Sequence, residues 1–359
     1  MAGTLQKNAT KLISVFLTFI LTAFCLFGCD SENAENSASN DEYDDKIQIG
    51  MCFDSFVIER WQRDRDVFVS MAKELGAEVN VQNANGDIEE QKKQIDYFIK
   101  KGMDAIVIIC IDSGALSESV KKARDEGIVV IAYDRLINDA NVDLYISFDN
   151  EMVGNMMAQS FVDAGLGDGK VIMICGSPSD NNVPQVESGF RDVLARNGGE
   201  VIDCIYCDGW KSDIAYEYMS ENMDTVREAD AIMCGNDDLA SRVVHALAER
   251  RLAGKKMVAG QDADLEACQR IVEGSQLMTV YKPIEKLAKQ AAVSAVELVK
   301  NRELSDSNIS QINDGSYDVP YMKIEPQIVT EENINDVIIN SGFHLKEDVY
   351  LNVRDKMPQ

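Results

Sequence analysis

"GIVVIAYDRLINDA", residues 127–140, runs through five consecutive apolar residues and then breaks into Tyr133-Asp134-Arg135. An uninterrupted apolar run, unlike an alternating one, marks a strand buried on both faces, as in a parallel sheet covered by helices. An acid and a base therefore stand side by side where a strand leaves the core. Outward from this stretch the same device recurs. Strand-like runs lie at 47–53, 78–82, 105–111, 129–133 and 144–147, then at 171–175, 201–206, 231–234, 257–260 and 277–281. Amphipathic segments separate them; Ile58, Trp61, Phe68, Met71 and Leu75, for example, share one helical face. The alternation, sustained over residues 46–301, predicts an α/β protein of the Rossmann-like class. A chain of 359 residues with 45% hydrophobic content is long enough to bury two such cores.

In open α/β sheets the ligand binds outside the carboxyl ends of the strands. Those exits read "FDSFVIERW", "YDR", "SFDN", "GSPSDNN", "CDGW", "GND", "GQDAD" and "YKP", so nearly every one carries an acid, an amide or a base. Charges placed for solubility alone would be scattered along helix faces. Asp134 and Arg135, with Arg60, Asn236, Asp262 and Lys282, form a mixed set of donors and acceptors. A sugar hydroxyl donates once and accepts twice and so calls for this mixture, whereas a phosphate calls for donors alone. Trp210 or Trp61 supplies a flat apolar face for the C–H side of a sugar ring. A hydrogen bond to a charged group contributes about 1.5 to 3 kcal/mol. Four or five of them exceed the roughly 8 kcal/mol of micromolar binding. An exposed ion pair worth at most about 1 kcal/mol explains "YDR" alone equally well, but not the whole set.

Other functions are disfavoured by what the sequence contains. A formal charge of −26 repels phosphate backbones, so nucleic acid is not an expected partner. His245 and His344 are the two histidines, and no motif pairs a nucleophile with a base, so no catalytic residue and no enzyme activity are expected. Asp262-Ala-Asp264-Leu-Glu266 lacks the glycine and terminal glutamate of a calcium loop, and "GLGDGK", residues 165–170, precedes a strand instead of following one. No metal and no cofactor are expected. With Cys25 and Cys29 set aside, seven cysteines remain, a number that cannot all pair internally. Cys52, Cys110, Cys175 and Cys234 end apolar runs as small buried hydrophobes. Cys204 and Cys207 have redox-motif spacing, but strand geometry sends their side chains to opposite faces.

Lys7 and Lys11 precede an apolar run, residues 12–24, that is short for a spanning helix and reads as a signal peptide. It ends in Leu26-Phe27-Gly28-Cys29, which resembles the lipobox of bacterial lipoproteins, with Phe27 where a small residue is usual. The expected organisation is a lipoprotein signal peptide at 1–28, lipidation of Cys29, and an acidic flexible linker at 29–45 that buries too little apolar surface to order itself. The folded part would begin near Lys46, outside the cytoplasm on the extracytoplasmic face of the cell membrane.

The stretches "ERWQRDRDVF", "AYDRLINDANVDLYISFDN", "GSPSDNN", "GQDADL" and "MTVYKPI", in this order, closely resemble the D-xylose-binding proteins. That family belongs to the pentose and hexose branch of the bacterial sugar-binding proteins that feed ABC transporters. The resemblance covers residues 46–345. It implies the type I periplasmic binding protein fold, two Rossmann-like lobes with parallel sheets joined by three hinge crossovers, near Asp149, Lys282 and Asn308. The lobes would be 46–149 plus 283–308 and 150–282 plus 309–345, followed by a tail at 346–359. Carried over motif by motif, the sugar ligands would be Arg60, Trp61, Asp134, Arg135, Asn182 or its neighbour Asn181, Trp210 as the stacking residue, Asn236, Asp262 and Lys282. The resemblance implies an aldopentose ligand, foremost D-xylose, and an ABC permease as partner. An extracellular sensor subunit for a membrane histidine kinase is the alternative. A cytoplasmic repressor on the same fold is disfavoured by the export signal and the absence of a DNA-binding headpiece.

Overall fold

A computed structural model describes residues 46–58, 60–307 and 309–358. The expected signal peptide, Cys29 and acidic linker lie outside the described residues. From Lys46 to Gln359 the chain forms one compact unit.

The first sheet is built from β1 (Ile47–Phe53), β2 (Ala77–Asn83), β3 (Ala105–Ile108), β4 (Val129–Tyr133) and β5 (Leu144–Phe148), all parallel. The apolar run that opened the sequence is β4, and every residue of β3, β4 and β5 is buried, as strands covered on both faces require. The intervening helices are α1 (Arg60–Glu74), α2 (Ile88–Lys101) and α3 (Ser117–Asp125). Helix α2 shows why these segments start and stop where they do. The Asp87 side chain accepts the Glu90 N–H at the N-terminus, and Gly102, at φ 69°, closes the C-terminus in the left-handed conformation.

The chain then passes to a second layer, with α4 (Asn150–Asp163), β6 (Lys170–Cys175), α5 (Asn182–Arg196), β7 (Glu200–Tyr206), α6 (Ser212–Glu221), α7 (Met223–Glu228), β8 (Ala231–Cys234), α8 (Asp237–Glu249), β9 (Met257–Gln261), α9 (Leu265–Glu273) and β10 (Met278–Tyr281). Helices α4 and α5 pack closely through glycines. A Cβ on Gly154 would lie 2.7 Å from the Phe190 nitrogen and closer still to the Val186 carbonyl, and one on Gly189 would press on the Glu151 carbonyl. After β10 the chain returns to the first layer as α10 (Ile284–Asn301), which buries Ile284, Leu287, Ala291 and Ala295 in the same core as Ile49, Phe68 and Ile131.

The C-terminal part differs from expectation in two ways. Residues 309–345 were expected in the second lobe, after a crossover near Asn308. Instead β11 (Ser310–Asn313) and β12 (Asp318–Ile324) extend the first sheet, whose order is β11-β12-β5-β4-β3-β1-β2. The reason lies in β12, where Val319, Tyr321, Met322 and Ile324 are buried, Tyr321 stacks on Tyr145 at 4.6 Å, and the Tyr321 hydroxyl donates to the Phe148 carbonyl. The chain changes sheets between Ile324 and β13 (Gln327–Thr330), which pairs antiparallel with β10 to give β13-β10-β9-β8-β6-β7. Residues 346–359 were expected as a tail, but α11 (Lys346–Val349) folds back. Val349 and Tyr350 are buried with Cys268, Ile271 and Tyr281, and Lys356 reaches the Val272 carbonyl.

The β11–β12 hairpin is tied to the loop after β4 by one carboxylate. Asp314 accepts the backbone N–H groups of Ala140, Asn141, Ser316 and Tyr317. Burial alone would raise its pKa, but these four donors outweigh burial and hold it below the ordinary value of 3.8. A depressed acid contributes stability that is complete above its unfolded value and is lost as pH falls through the lower folded value. Asp314→Ala should therefore cost about 2 kcal/mol at neutral pH by leaving the N–H groups of buried Ala140 and half-buried Asn141 unpaired. Urea titrations should show the gap between variant and parent closing as the pH is taken below that ordinary value.

Candidate functional site

Both sheets turn the carboxyl ends of their strands toward one buried cluster. Its centre is Arg60, the first residue of α1. The Arg60 guanidinium donates to Asp64 one helical turn later, at 3.2 and 3.1 Å, lies 3.0 Å from Asp134 Oδ2, and is 3.9 Å from Asp262 Oδ1 on the other sheet. Three carboxylates thus surround one guanidinium that is 6% exposed, and their charges raise its pKa despite burial.

The acid and base of "YDR" do not form an ion pair with each other; each pairs elsewhere. Asp134 pairs with Arg60, while Arg135 pairs with Asp54 at 2.8 Å and Asp180 at 2.7 Å and donates to the Cys110 carbonyl. The backbone explains the divergence. Asp134 adopts φ +65°, a left-handed conformation that aspartate tolerates, and its carbonyl accepts from Ser147 Oγ, Tyr145 Oη and Asn182 Nδ2 at 2.6, 3.2 and 3.1 Å. Burial would raise the Asp134 pKa, but Arg60, Lys282 and Arg135 outweigh it and hold the carboxyl below the ordinary range. For Asp54 and Asp64 burial prevails over the neighbouring arginines and pushes both up.

From the second sheet, Asp262 follows β9 at φ +96° and its Oδ1 lies 3.4 Å from Lys282 Nζ, just beyond β10. Asn182 opens α5 and donates to the Asp134 carboxylate at 3.2 Å, while Asn181 bridges instead to Ser113 and Asn138. Aromatic rings floor the cluster. Trp61 lies under Arg60 at 4.4 Å and Arg135 at 5.6 Å, and Phe148 lies under Arg60 and Lys282. Trp210, at φ +58°, lays its ring against Gly176 and Gly235 and donates Nε1–H to Asp180 at 3.2 Å. A Cβ at Gly176 would enter that ring.

Of the nine expected residues, Arg60, Trp61, Asp134, Arg135, Asn182, Asp262 and Lys282 meet directly, and Trp210 joins through Asp180. Asn236 stands apart: its Oδ1 caps α8 by accepting the Leu239 N–H at 2.9 Å, and it is linked to the rest through its neighbour Gly235. Reading the exits missed Asp54, Asp64, Asp180 and Gln261. Asp54, Asp180 and Gln261 stood in quoted exits, and Asp64 sits at i+4 from Arg60, the spacing of a helical ion pair. Among the described residues Trp61 Nε1, Asn150 Oδ1 and Gln261 Oε1 are buried with no hydrogen-bond partner. Such atoms are costly unless a polar partner meets them. Of these, Gln261 lines a small cavity with Cys175, Gly176, Asn182 and Trp210, and a separate cleft of about 300 Å³ is lined by Arg60, Arg63, Asp262 and His344.

Comparison with known proteins bears on the family and the fold. A periplasmic binding protein domain model matches residues 49–303. The D-xylose-binding periplasmic protein of Haemophilus influenzae is 43% identical over 318 residues, 87% of this chain and 95% of that one. Its Escherichia coli namesake is 43% identical over 310 residues, 85% and 93% of the two chains. An ABC transporter solute binding protein from Clostridium phytofermentans with bound β-D-glucose superposes with a TM-score of 0.76 at 27% identity, covering 84% of this chain and 99% of that one.

Proposed function

The chain belongs to the periplasmic binding protein family, and from that premise we propose that it captures D-xylose, or a closely related aldose, between two closing lobes and delivers it to an ABC importer. The convergence of charged and amide side chains from both sheets on one buried cluster, joined by Trp210 through Asp180, carries this reading. Asp134 and Asp262 would accept from sugar hydroxyls. Arg60, Arg135, Asn182, Asn236 and Lys282 would donate, and Trp210 would stack on the ring. Trp61, sandwiched under two guanidinium groups, would hold these donors rather than cover the sugar.

The residues act by binding and not by turnover. Arg135 to Asp180, Asp134 to Asn182 and Arg60 to Asp262 are contacts between the two layers. A sugar bridging the same groups favours the closed arrangement to the extent that it binds that arrangement better. The chain crosses between the sheets at residues 149, 282–283 and 325–326, which would serve as hinges. Lipid attachment at Cys29 would hold the receptor at the membrane. Cys29→Ser should then release it into the soluble fraction.

Calorimetric titration of residues 46–359 against aldopentoses and aldohexoses tests the assignment. Xylose should bind with a Kd of about 1 μM or tighter, about 8 kcal/mol or more. Silence across the panel would overturn the sugar assignment while leaving family membership intact.

A further inference from the structure

Next to the Trp210 cavity, which Cys175 helps to line, three side chains given no role in sugar binding come together. Cys175, the last residue of β6, and Cys204, in β7, hold their Sγ atoms 3.8 Å apart. Glu187, on α5, completes the group, with all three ligand atoms within 4.8 Å of one another. The group is buried at one end and open at the other: Cys175 is 2% exposed and Cys204 is partly exposed. We propose that Cys175, Cys204 and Glu187 form a binding site for one soft divalent cation, of which zinc is the representative, with water as the fourth ligand.

Sheet register separates this from a disulfide. Cys204 lies level with Met173, and Cys175 is level with Tyr206, so the two cysteines are diagonal, two residues out of step. With strands about 4.8 Å apart and about 3.3 Å of rise per residue, their Cα atoms lie about 8 Å apart. That exceeds the roughly 7 Å beyond which two cysteines cannot be bridged without backbone movement. The sulfur spacing suits a shared ion instead: two Zn–S bonds of about 2.3 Å at the tetrahedral angle place the sulfurs about 3.8 Å apart.

The surrounding charges also fit. Two thiolates and a carboxylate around a divalent ion leave a single negative charge, and Arg191, 2.8 Å from Glu187, balances it. The Tyr206 hydroxyl donates to the other Glu187 oxygen at 2.7 Å, so the carboxylate is held from two sides, as metal-ligating groups characteristically are. Thiolates select zinc or cadmium over magnesium and calcium. The site would clamp the ends of β6 and β7. There the Cys175 carbonyl accepts from the Cys207 N–H, the Cys207 carbonyl accepts from the Trp210 N–H, and Gly176 abuts the indole. Sequence reading gives no hint of the site, because its ligands come from two strands and a helix.

The test is titration of the full, reduced chain with cadmium, reading thiolate-to-cadmium charge-transfer absorption, and with zinc, reading heat and melting temperature. One ion per chain should bind, with absorption from two thiolates and a raised melting temperature. Cys204→Ser should weaken binding more than about 100-fold, beyond what loss of a supporting group costs, and Glu187→Gln should weaken it about 10-fold. Cys268→Ala, at a buried thiol remote from the site, should leave binding unchanged. Sugar binding by each variant reports that it has folded. The proposal is overturned if parent and Cys204→Ser titrate alike, or if the reduced protein takes up no ion.

Discussion

Asp134→Asn should lower the affinity for xylose, the proposed ligand, about 30- to 4,000-fold in calorimetric titration, while unfolding remains cooperative. The figure follows from the pairing. Removing one member of a buried, hydrogen-bonded charge pair costs about 2 to 5 kcal/mol, and each 1.4 kcal/mol is about tenfold. Asparagine keeps the size of the side chain, accepts the left-handed backbone at φ +65°, and keeps an oxygen for Asn182. What it loses is the charge opposite Arg60, 3.0 Å away, together with the charged acceptor proposed to meet a sugar hydroxyl. An unchanged affinity would mean that the sugar does not touch Asp134.

Gly154→Leu has the largest expected effect on stability, about 3 kcal/mol or more. The added side chain would meet the backbone of α5 at Val186 and Phe190, not a flexible side chain that could swing away. Helices α4 and α5 would have to separate, exposing Val153, Met157, Phe161 and Phe190 of the second core. A urea midpoint within experimental error of the parent would show that the helices part at little cost. Gly76→Ala offers a contrast, since that glycine has open space around it and a substitution there meets only the backbone strain of φ +80°.

The parts of the fold legible in the sequence were those written as continuous apolar runs. β4 and β8 fall on the residues expected, because nothing but burial on both faces explains Val129 to Tyr133 or Ala231 to Cys234. β11, β12 and β13 were not legible. Ser310-Gln311-Ile312-Asn313 is polar and exposed at the edge of a sheet, where a strand is defined by its partner rather than by its own pattern. Missing that pairing moved the third crossover to residue 308.

At the site, the strand-end rule pointed to the right loops but not to how charges pair within them. Asp134 and Arg135 are neighbours in sequence, yet the backbone between them turns their side chains to different partners. Sequence proximity cannot show that turn. Asp64 was more accessible to reasoning, since its spacing from Arg60 already placed both on one helix face.

The left-handed backbone at Asp134, Trp210 and Asp262, with φ of +65°, +58° and +96°, sets a boundary for redesigning the receptor as a biosensor. Most side chains carry a conformational cost at such positions that has nothing to do with the ligand. A library that randomises these three codons would be filled with poorly folding members. Productive diversity is better sought at positions with ordinary backbone, such as Asn150 and Gln261, each of which has a buried side-chain oxygen without a hydrogen-bond partner.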